Sequence, residues 1–249
     1  MRCPTFKYHG SKCRMAPWII DHFPHRIGKY VEPFAGRGNV YYRLCMSDRM
    51  FEKAYLNDIK TFKWLKALKE YDGNYDFLPE SITKDIYDKF RSMKNCPERT
   101  IAEAVLAYNG NFYGRGANIT YESANGYNAE SSSVRYKNAH RLLQKAILWK
   151  RDWKECVESL NLGPQDLLYC DPPYYKANYL IYPQIEHGEL LDRLKSMSCK
   201  VVLSSYLSTL YKTKLKTWNV DYKIRAATAT RQSMKEPKER HVEVLYMNF

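Results

Sequence analysis

The stretch KYVEPFAGRGNV (residues 29–40) contains the pattern that decides the fold. An apolar run ends at a turn that holds Gly36 and Gly38, and VYYRLCMSDRM (40–50) continues with a helical pattern. Glycine lets the chain turn tightly and lets a ligand approach main-chain N–H groups at a helix start. In open α/β sheets, ligands bind beyond the carboxyl ends of strands, so this turn is a candidate ligand site.

Working outward from this turn, strand-like and helix-like segments alternate. Helical patterns occur at TFKWLKALKEY (61–71) and EHGELLDRLKSM (186–197). Six further apolar runs are typical of strands: KAYLND (53–58), AILWKRD (146–152), DLLYCD (166–171), KVVLSS (200–205), VDYKIRA (220–226) and HVEVLYMNF (241–249). The alternation predicts an α/β fold with a mostly parallel, seven-stranded sheet. The last two strands lack a convincing helix between them, which predicts an antiparallel edge pair.

Residues 75–145 interrupt the alternation, because they separate two strands by more than a simple crossover needs. Helical patterns occur at SITKDIYDKFRSMKN (81–95), PERTIAEAVLAY (97–108) and VRYKNAHRLLQKA (134–146). The composition of 109–133, rich in Asn, Gly, Ser and Tyr, is typical of a loop. We therefore predict a main domain formed by 1–74 and 146–249, with a mainly helical domain inserted at 75–145.

The charge balance favours a polyanionic partner. Forty Lys and Arg against 27 Asp and Glu give a formal charge of +13, and aromatic residues make up 14% of the chain. Basic residues interleaved with aromatics are typical of nucleic-acid binding, although a cationic surface can also serve solubility. The seven cysteines show no C-x-x-C spacing, which disfavours a structural zinc site or a disulfide framework. We expect no metal, no membrane span, and a location in the cytoplasm of a bacterial or phage-infected cell.

The glycine turn is neither a P-loop nor a full dinucleotide fingerprint. No G-K-[ST] is present, and Tyr41 stands where the fingerprint requires Gly or Ala. Asp58, in YLNDI, ends the second strand about 20 residues after the turn, where an acid can bind ribose hydroxyls. This combination indicates an adenosine-type ligand without a pyrophosphate. The alternative is a plain turn, with Asp58 as a helix cap.

DPPYY (171–175) follows the fourth strand, which in this type of sheet lies beside the first. Pro172 and Pro173 have a fixed φ and no N–H, so their carbonyls remain as acceptors. Asp171 adds a carboxylate, and Tyr174 offers a flat face for stacking. Converging acceptors beside an aromatic ring suit an exocyclic base amine, which in a duplex is reachable only after the nucleotide has flipped out. The alternative is a strand-to-loop turn with packed tyrosines.

Together these motifs resemble the D12-class (Dam-like) N6-adenine DNA methyltransferases. KYHGSK (7–12) is similar to their N-terminal K-[WY]-x-G-[GS]-K motif, and YVEPFAGRGNV (30–40) to their S-adenosylmethionine (SAM) motif. YLNDI (55–59) matches their ribose-binding acid, RDW (151–153) their D-[FW] step, and DPPY (171–174) their catalytic tetrapeptide. The resemblance implies a Rossmann-like class I methyltransferase sheet with an inserted target-recognition domain. It also implies SAM as methyl donor and a flipped adenine in double-stranded DNA as acceptor.

The resemblance also implies roles for individual residues. The residues expected to perform or position the transfer are Asp171, Pro172, Pro173 and Tyr174. The residues expected to border the cofactor are Tyr8, Gly10, Lys12, Pro33, Phe34, Ala35, Gly36, Gly38, Asn39, Asp58, Ile59, Asp152, Trp153 and Asp171. Among these, Asp152 and Trp153 are expected to close over the cofactor adenine.

DNA contacts are expected from two loops. The insertion reads NGNFYGRGANITY (109–121), whereas the family often has N-G-x-F-N-x-P-x-G, so the target sequence stays open. The segment TATRQSMKEPKER (228–240) is basic and lacks an apolar pattern, which indicates an exposed phosphate-binding loop. The residues predicted to contact DNA are Arg115, Asn118, Tyr121, Arg135, Arg231, Lys235 and Lys238.

Other functions remain open at this point. Cytosine-N4 enzymes more often carry Ser-Pro-Pro-[Tyr/Trp], so Asp171 favours adenine, and an RNA adenine is a further alternative. A catalytically idle DNA-binding module would not need the complete DPPY, glycine turn and Asp58 together. A nicotinamide dehydrogenase is disfavoured by the incomplete fingerprint. We expect a monomer or a weak dimer on DNA.

Overall fold

The computed structural model describes residues 3–6, 10–78, 83–106, 129–175, 184–225 and 241–249. Within these residues, seven strands form one sheet: β1 (Arg26–Glu32), β2 (Met50–Asn57), β3 (Ala146–Trp149), β4 (Leu167–Cys170), β5 (Lys200–Tyr206), β6 (Asn219–Arg225) and β7 (His241–Met247). The described helices are α1 (Ala16–Asp21), α2 (Asn39–Leu44), α3 (Phe62–Glu70), α4 (Lys84–Ser92), α5 (Pro97–Leu106), α6 (Ala129–Leu143), α7 (Trp153–Glu158), α8 (His187–Lys195) and α9 (Thr209–Lys214).

The sheet has the order β3-β2-β1-β4-β5-β7-β6. The first five strands of this order are parallel, and β7 runs antiparallel to both β5 and β6. This confirms the predicted seven-stranded, mostly parallel α/β sheet. The predicted antiparallel pair of the last two strands at one edge is also confirmed, with β6 outermost and β7 between β6 and β5.

The order of the strands switches between β1 and β4: β2 and β3 lie on one side of β1, and β4 and β5 lie on the other. A ligand crevice is expected at such a switch point. Tyr30 pairs with Leu167 and Val31 with Leu168, so the ends of the two strands lie side by side. The glycine turn follows one strand and DPPY follows the other. The predicted adjacency of these two motifs is therefore confirmed by the register.

Side chains from the central strands alternate between two hydrophobic clusters. Tyr30 and Tyr169 pack on one face with Trp64 of α3, while Val31 and Leu168 pack on the other face. The second face receives the fully buried leucines of α8, Leu190, Leu191 and Leu194. Burying each leucine side chain contributes about 1.5–3 kcal/mol, which fixes the helix on the sheet. The central position of β1, β4 and β5 follows from this burial on both faces.

Helices α5 and α6 of the insertion pack on α3. Tyr136 of α6 contacts the rings of Phe6 and Trp64 with centroid distances of 5.0 and 6.4 Å. The Trp64 Nε1–H donates to the carbonyl of Ile101 in α5 at 3.3 Å. These helices thus share a hydrophobic cluster with the sheet. The division into a domain of 1–74 with 146–249 and an inserted domain of 75–145 stays a prediction.

Three helices were not predicted, and two had wrong limits. The short α1, α7 and α9 have six residues each, too few for a clear periodic pattern. Helix α2 ends at Leu44, not near 50, and the hydroxyl of Ser47 donates to the carbonyl of Leu44. Helix α6 covers Ala129–Leu143, so part of the predicted loop at 109–133 is helical.

Among the described residues, no helix is both long and apolar enough to cross a bilayer. Over the same ranges, the histidine, cysteine and carboxyl side chains form no group of three that could hold a metal ion.

Candidate active site

A cavity lies at the carboxyl ends of β1 and β4. Predicted residues that line it are Gly10, Lys12, Phe34, Ala35, Gly36, Asn39, Asp58, Asp171, Pro172, Pro173 and Tyr174. Lining residues that sequence reasoning missed are Ser11, Glu32, Arg37, Val40 and Tyr169. The structure therefore brings the N-terminal motif, the glycine turn, the Asp58 strand end and DPPY to one place.

A second cavity adjoins the first, with Phe34, Asp58 and Pro173 lining both. Its other predicted residues are Pro33, Ile59, Asp152 and Trp153, and it also includes Asn57, Arg151 and Ile185. The rings of Phe34 and Trp153 lie 6.3 Å apart at an interplanar angle of 34°. This second cavity is therefore a partly apolar slot at the ends of β2 and β3.

The glycine turn adopts backbone conformations that favour glycine. Gly36 has φ 54° and Gly38 has φ 76°, and the Gly38 N–H donates to the Ala35 carbonyl at 2.9 Å. A Cβ on Gly38 would also lie 3.3 Å from the ring of Tyr42. Gly38 precedes the first residue of α2 and does not itself line either cavity. Its role is to shape the turn.

Asp58 fastens the glycine turn to the end of β2. Its Oδ2 accepts from the Gly36 N–H at 2.9 Å, and its Oδ1 accepts from the N–H groups of Lys60 and Thr61 at 2.8 Å. The Thr61 hydroxyl also donates to the Gly36 carbonyl. Burial raises the pKa of Asp58, and these backbone donors oppose the rise. Asp58 thus closes the turn before α3, whose N-cap is Thr61, while a contact of Asp58 with ribose stays a prediction.

Asn57, the residue before Asp58, connects three strand ends. Its Nδ2 donates to the carbonyls of Pro33 and Arg151, each at 3.0 Å, and its Oδ1 accepts from the Arg151 N–H at 2.8 Å. The side chain is 1% exposed. Asn57 was not predicted from the sequence, although its position next to the predicted acid Asp58 could have identified it.

Asn39 holds the N-terminal segment against the glycine turn. Its Oδ1 accepts from the Phe6 N–H at 2.8 Å, and its Nδ2 donates to the Phe6 carbonyl and to the Ser11 hydroxyl, each at 2.9 Å. All three contacts are within the protein, so the residue shapes the cavity wall through Phe6 and Ser11. A direct contact of Asn39 with a cofactor stays a prediction.

Asp171 is paired with Lys12 inside the first cavity. Lys12 Nζ lies 2.8 Å from Asp171 Oδ1 and donates to the Gly10 carbonyl at 3.0 Å. Burial is the main reason that the pKa of Asp171 is raised to about 6, with Lys12 opposing the rise and Glu243 adding to it. Lys12 is 6% exposed. An N–H donor therefore already occupies the position in front of the carboxyl group.

Tyr174 is buried and held on several sides. Its hydroxyl donates to Glu243 Oε2 at 2.6 Å, and its ring and that of Tyr206 pack edge-to-face at 4.4 Å between centroids. Lys12 Nζ lies 4.6 Å from the centre of the same ring. The stacking face predicted for a base is thus in contact with the lysine ammonium.

Glu32 is a buried acid in the floor of the cavity. It ends β1 and accepts a short hydrogen bond from the Tyr30 hydroxyl. Burial raises the pKa of Glu32 to about 8, and the neighbouring Asp171 and Asp58 carboxyl groups contribute to the rise. Sequence reasoning treated this residue as part of the strand, although an acid inside the quoted VEPF motif was a usable signal.

Asp152 begins helix α7, and its Oδ1 accepts from the Lys154 N–H at 2.9 Å. Trp153 is buried, while Ile59 remains 38% exposed at the mouth of the second cavity. These positions are compatible with closure over an adenine, which stays a prediction.

Of the predicted DNA contacts, only Arg135 falls among the described residues, half-buried on α6. The predictions for Tyr8, Arg115, Asn118, Tyr121, Arg231, Lys235 and Lys238 lie outside the described residues.

Comparison with known proteins decides the class of chemistry. A model of the D12 class N6 adenine-specific DNA methyltransferase family matches residues 8–242. The chain belongs to this family. The methyltransferase is also similar to a DNA adenine methylase of Haemophilus influenzae, with 25% identity over 235 residues, covering 82% of this chain and 78% of that protein.

Family membership confirms the resemblance drawn from the motifs. The chain is a DNA adenine methyltransferase that moves a methyl group from a donor to DNA. In its structure, the DPPY segment and the glycine turn line a shared cavity. The methyltransferase therefore has the motifs of its family in one connected site.

Proposed function

We propose that the methyltransferase transfers a methyl group from SAM to N6 of an adenine flipped out of double-stranded DNA. The observation that supports this most directly is the Asp171 carboxyl group at the end of β4, 2.8 Å from an N–H donor inside the cavity. The exocyclic amine of adenine is also an N–H donor. In this proposal it takes the place that the Lys12 ammonium holds in the free protein.

The residues present fit SAM by their chemistry. The slot between Phe34 and Trp153 suits an adenine ring, and Ile59 adds apolar surface at its mouth. Asp152 offers acceptor atoms at the rim. The first cavity adds the carboxyl groups of the buried Glu32 and the half-buried Asp171, which suit the cationic methionine end of this ligand. When bound, SAM supplies the methyl group as an electrophilic sulfonium substituent.

Asp171 and the Pro172 carbonyl act on the adenine amine. N6 is a poor nucleophile because its lone pair is delocalised into the ring. Acceptance of its N–H hydrogens by these two oxygens favours tetrahedral geometry and localises the pair on nitrogen. The same acceptors stabilise the positive charge that develops on N6 during transfer. Fixed positioning of the base supplies much of the remaining rate enhancement.

Lys12 is the group that must move. Its ammonium contacts both the carboxyl group of Asp171 and the ring of Tyr174, which are the two proposed contacts of the base. Entry of adenine exchanges this ion pair for the amine hydrogen bonds and a stacked ring. Stacking on an aromatic side chain contributes about 1–3 kcal/mol per base, which offsets part of the lost ion pair.

For the partner and the place of action, we propose double-stranded DNA, a monomer or weak dimer on it, and the cytoplasm. The formal charge of +13 supports strong phosphate contacts. DNA is the substrate of the family, and access to it favours this location.

The proposed function is tested by incubation of the protein with labelled SAM and unmethylated genomic DNA. We expect label in N6-methyladenine, at a defined short sequence, and none in an RNA of matched sequence. Label in N4-methylcytosine, label in the RNA, or no label in either polymer would overturn the proposal.

The pH dependence of the reaction follows from Asp171. The pKa of this carboxyl group is raised to about 6, and only its ionised form accepts an amine hydrogen without offering a competing donor. We therefore expect kcat/KM for DNA, which reports on the free enzyme, to fall about tenfold per pH unit below about 6. A profile that stays flat down to pH 5 would contradict this assignment.

Lys12→Met is expected to move the acidic limb of this pH profile, which is the fall of kcat/KM below about pH 6, to higher pH. The ammonium of Lys12 holds the pKa of Asp171 down, so its removal makes the carboxyl group harder to ionise. Lys214→Met is the matched control, since Lys214 pairs with Asp192 at 2.6 Å on the surface. The control limb should coincide with that of the wild type. An unchanged limb in Lys12→Met would show that the ion pair does not set this pKa.

A further inference from the structure

Glu243 is a buried acid at the active-site edge of the sheet, contributed by the antiparallel strand β7. It pairs with Tyr206 at the end of β5 and with Lys223 of β6. Because β7 is antiparallel to β5, the beginning of β7 lies at the carboxyl ends of the parallel strands. Glu243 is 2% exposed. A residue far along the chain from DPPY is thus brought beneath it.

The carboxyl group of Glu243 holds the hydroxyl of Tyr174. The Tyr174 Oη–Glu243 Oε2 distance is 2.6 Å, at the short end for hydrogen bonds between oxygens. Burial, followed by the nearby Asp171 and Glu243 carboxyl groups, raises the pKa of Tyr174 well above its usual value. The hydroxyl is therefore protonated and donates, with Glu243 as the acceptor.

This hydrogen bond determines where the Tyr174 ring can lie. The two prolines before Tyr174 have a fixed φ, which limits the backbone on that side. Tyr206 contacts the ring at an interplanar angle of 76°, in an edge-to-face arrangement. With the hydroxyl tied to Glu243, the ring has one anchored end and one supported side. The Lys12 ammonium lies 4.6 Å from the ring centre.

We propose that Glu243 is a positioning residue for the target base: it acts through Tyr174 by holding the hydroxyl and so fixes the plane on which the adenine stacks. This inference rests on the proposed function. It assigns to the antiparallel strand β7 a direct part in presenting the base amine to Asp171.

Glu243 also acts on Asp171 through its charge. The groups that face Asp171 come from several elements: Lys12 from the N-terminal segment, Glu32 from β1, Tyr169 from β4, Tyr174 from DPPY and Glu243 from β7. Among them, Lys12 lowers the pKa of Asp171 and Glu243 raises it. Neutralising Glu243 should therefore shift the acidic limb of kcat/KM to lower pH, opposite to Lys12→Met.

Three variants separate the two effects. Glu243→Met removes the acceptor, and we expect kcat to fall about tenfold to hundredfold, because a small misplacement of reacting groups has an effect of this size. Tyr174→Phe removes the donor from the other side and should show a similar fall. Glu243→Gln keeps an acceptor oxygen without the charge. It should retain most of kcat and move the acidic limb to lower pH.

The double variant Glu243→Met with Tyr174→Phe tests whether Glu243 acts through the tyrosine. If it does, the double variant has the kcat of the slower single variant, since the two changes remove one hydrogen bond. A double variant whose kcat falls by the product of the two single-variant factors would overturn the proposal. Wild-type kcat in a folded Glu243→Met protein would also overturn it.

Tyr246→Phe is the matched control. Tyr246 is a buried tyrosine on the same strand, and its hydroxyl has no hydrogen-bond partner among the described residues. Its kcat and its pH profile should match the wild type. Thermal unfolding of every variant identifies folded protein. If Glu243→Met does not fold, the kcat of Tyr174→Phe and the acidic limb of Glu243→Gln test the proposal instead.

Failure of this inference can be distinguished from failure of the proposed function. Methylation of adenine by the wild type tests the function alone. The ratio of variant to wild-type kcat tests Glu243.

Discussion

Asp171→Ala is expected to abolish methyl transfer while SAM still binds measurably. The change removes the proposed acceptor of the N6 hydrogens and the charge that stabilises the developing cation. Loss of a single transition-state hydrogen bond in an enclosed site reduces kcat by about 10²–10³. Loss of charge and hydrogen bond together should bring the rate to the detection limit. The measurement is single-turnover methylation of DNA, with SAM affinity determined by calorimetry.

Asp171→Asn tests the same point with the volume preserved. Asparagine keeps one acceptor oxygen but directs an NH2 group at the amine, so transfer should remain severely reduced. Asp192→Ala is the matched control, because its carboxyl group forms an exposed ion pair with Lys214 at 2.6 Å, and such pairs contribute little. Near-full activity in a folded Asp171→Ala protein would contradict the proposed mechanism.

Asp58→Ala is the second change expected to have a large effect, on cofactor binding and on stability together. It leaves the N–H groups of Gly36, Lys60 and Thr61 without their acceptor. A buried donor that loses its partner costs about 1–3 kcal/mol, so the free energy of unfolding should fall by several kcal/mol. The glycine turn also loses its attachment to β2, and SAM affinity should fall at least about 100-fold, or about 2.7 kcal/mol.

Asp58→Asn divides these effects. The amide oxygen can still accept from Lys60 and Thr61, while its NH2 group would face the Gly36 N–H. We expect most of the stability to return and SAM binding to stay weak. Calorimetry with SAM and thermal unfolding measure the two quantities separately. Wild-type SAM affinity in both Asp58 variants would show that the turn does not depend on this carboxyl group.

The adjacency of the main motifs could be predicted because it follows from local pattern and sheet topology. Strand β1 followed by a glycine turn and strand β4 followed by DPPY are each visible in the sequence. Parallel strands place their carboxyl ends at one edge, so the pairing of Tyr30 with Leu167 brings the two motifs together. The burial of β4 on both faces fits its continuous apolar run, LLYC, and the buried part of β5 includes its apolar run VVL.

The contacts that complete the site could not be predicted, because they join residues far apart in the chain. Asn39 binds Phe6 across 33 positions, and Tyr174 binds Glu243 across 69. No periodic pattern marks either pair. The Lys12–Asp171 ion pair depends on the folding of the N-terminal segment over the sheet edge, which Asn39 secures. The family resemblance implied that Lys12 borders the site and not that it pairs with Asp171.

Some predicted residues have a structural role that the motif alone did not reveal. Asp58 satisfies three backbone donors, and Asp152 accepts from the second residue of α7. Both were predicted as direct ligand contacts. A carboxyl group at a strand end can cap the next helix as well as bind a hydroxyl, and sequence spacing is the same in both cases.

The most direct test of the central claim is a crystal structure of the methyltransferase with its target duplex and a non-reactive SAM analogue. The measured quantity is the distance from adenine N6 to the Asp171 carboxyl oxygens. We predict about 3 Å, a hydrogen-bond distance, with the adenine out of the duplex and the Lys12 ammonium moved off Asp171. A complex in which Lys12 Nζ stays 2.8 Å from Asp171 Oδ1, with the target adenine bound elsewhere, would contradict it.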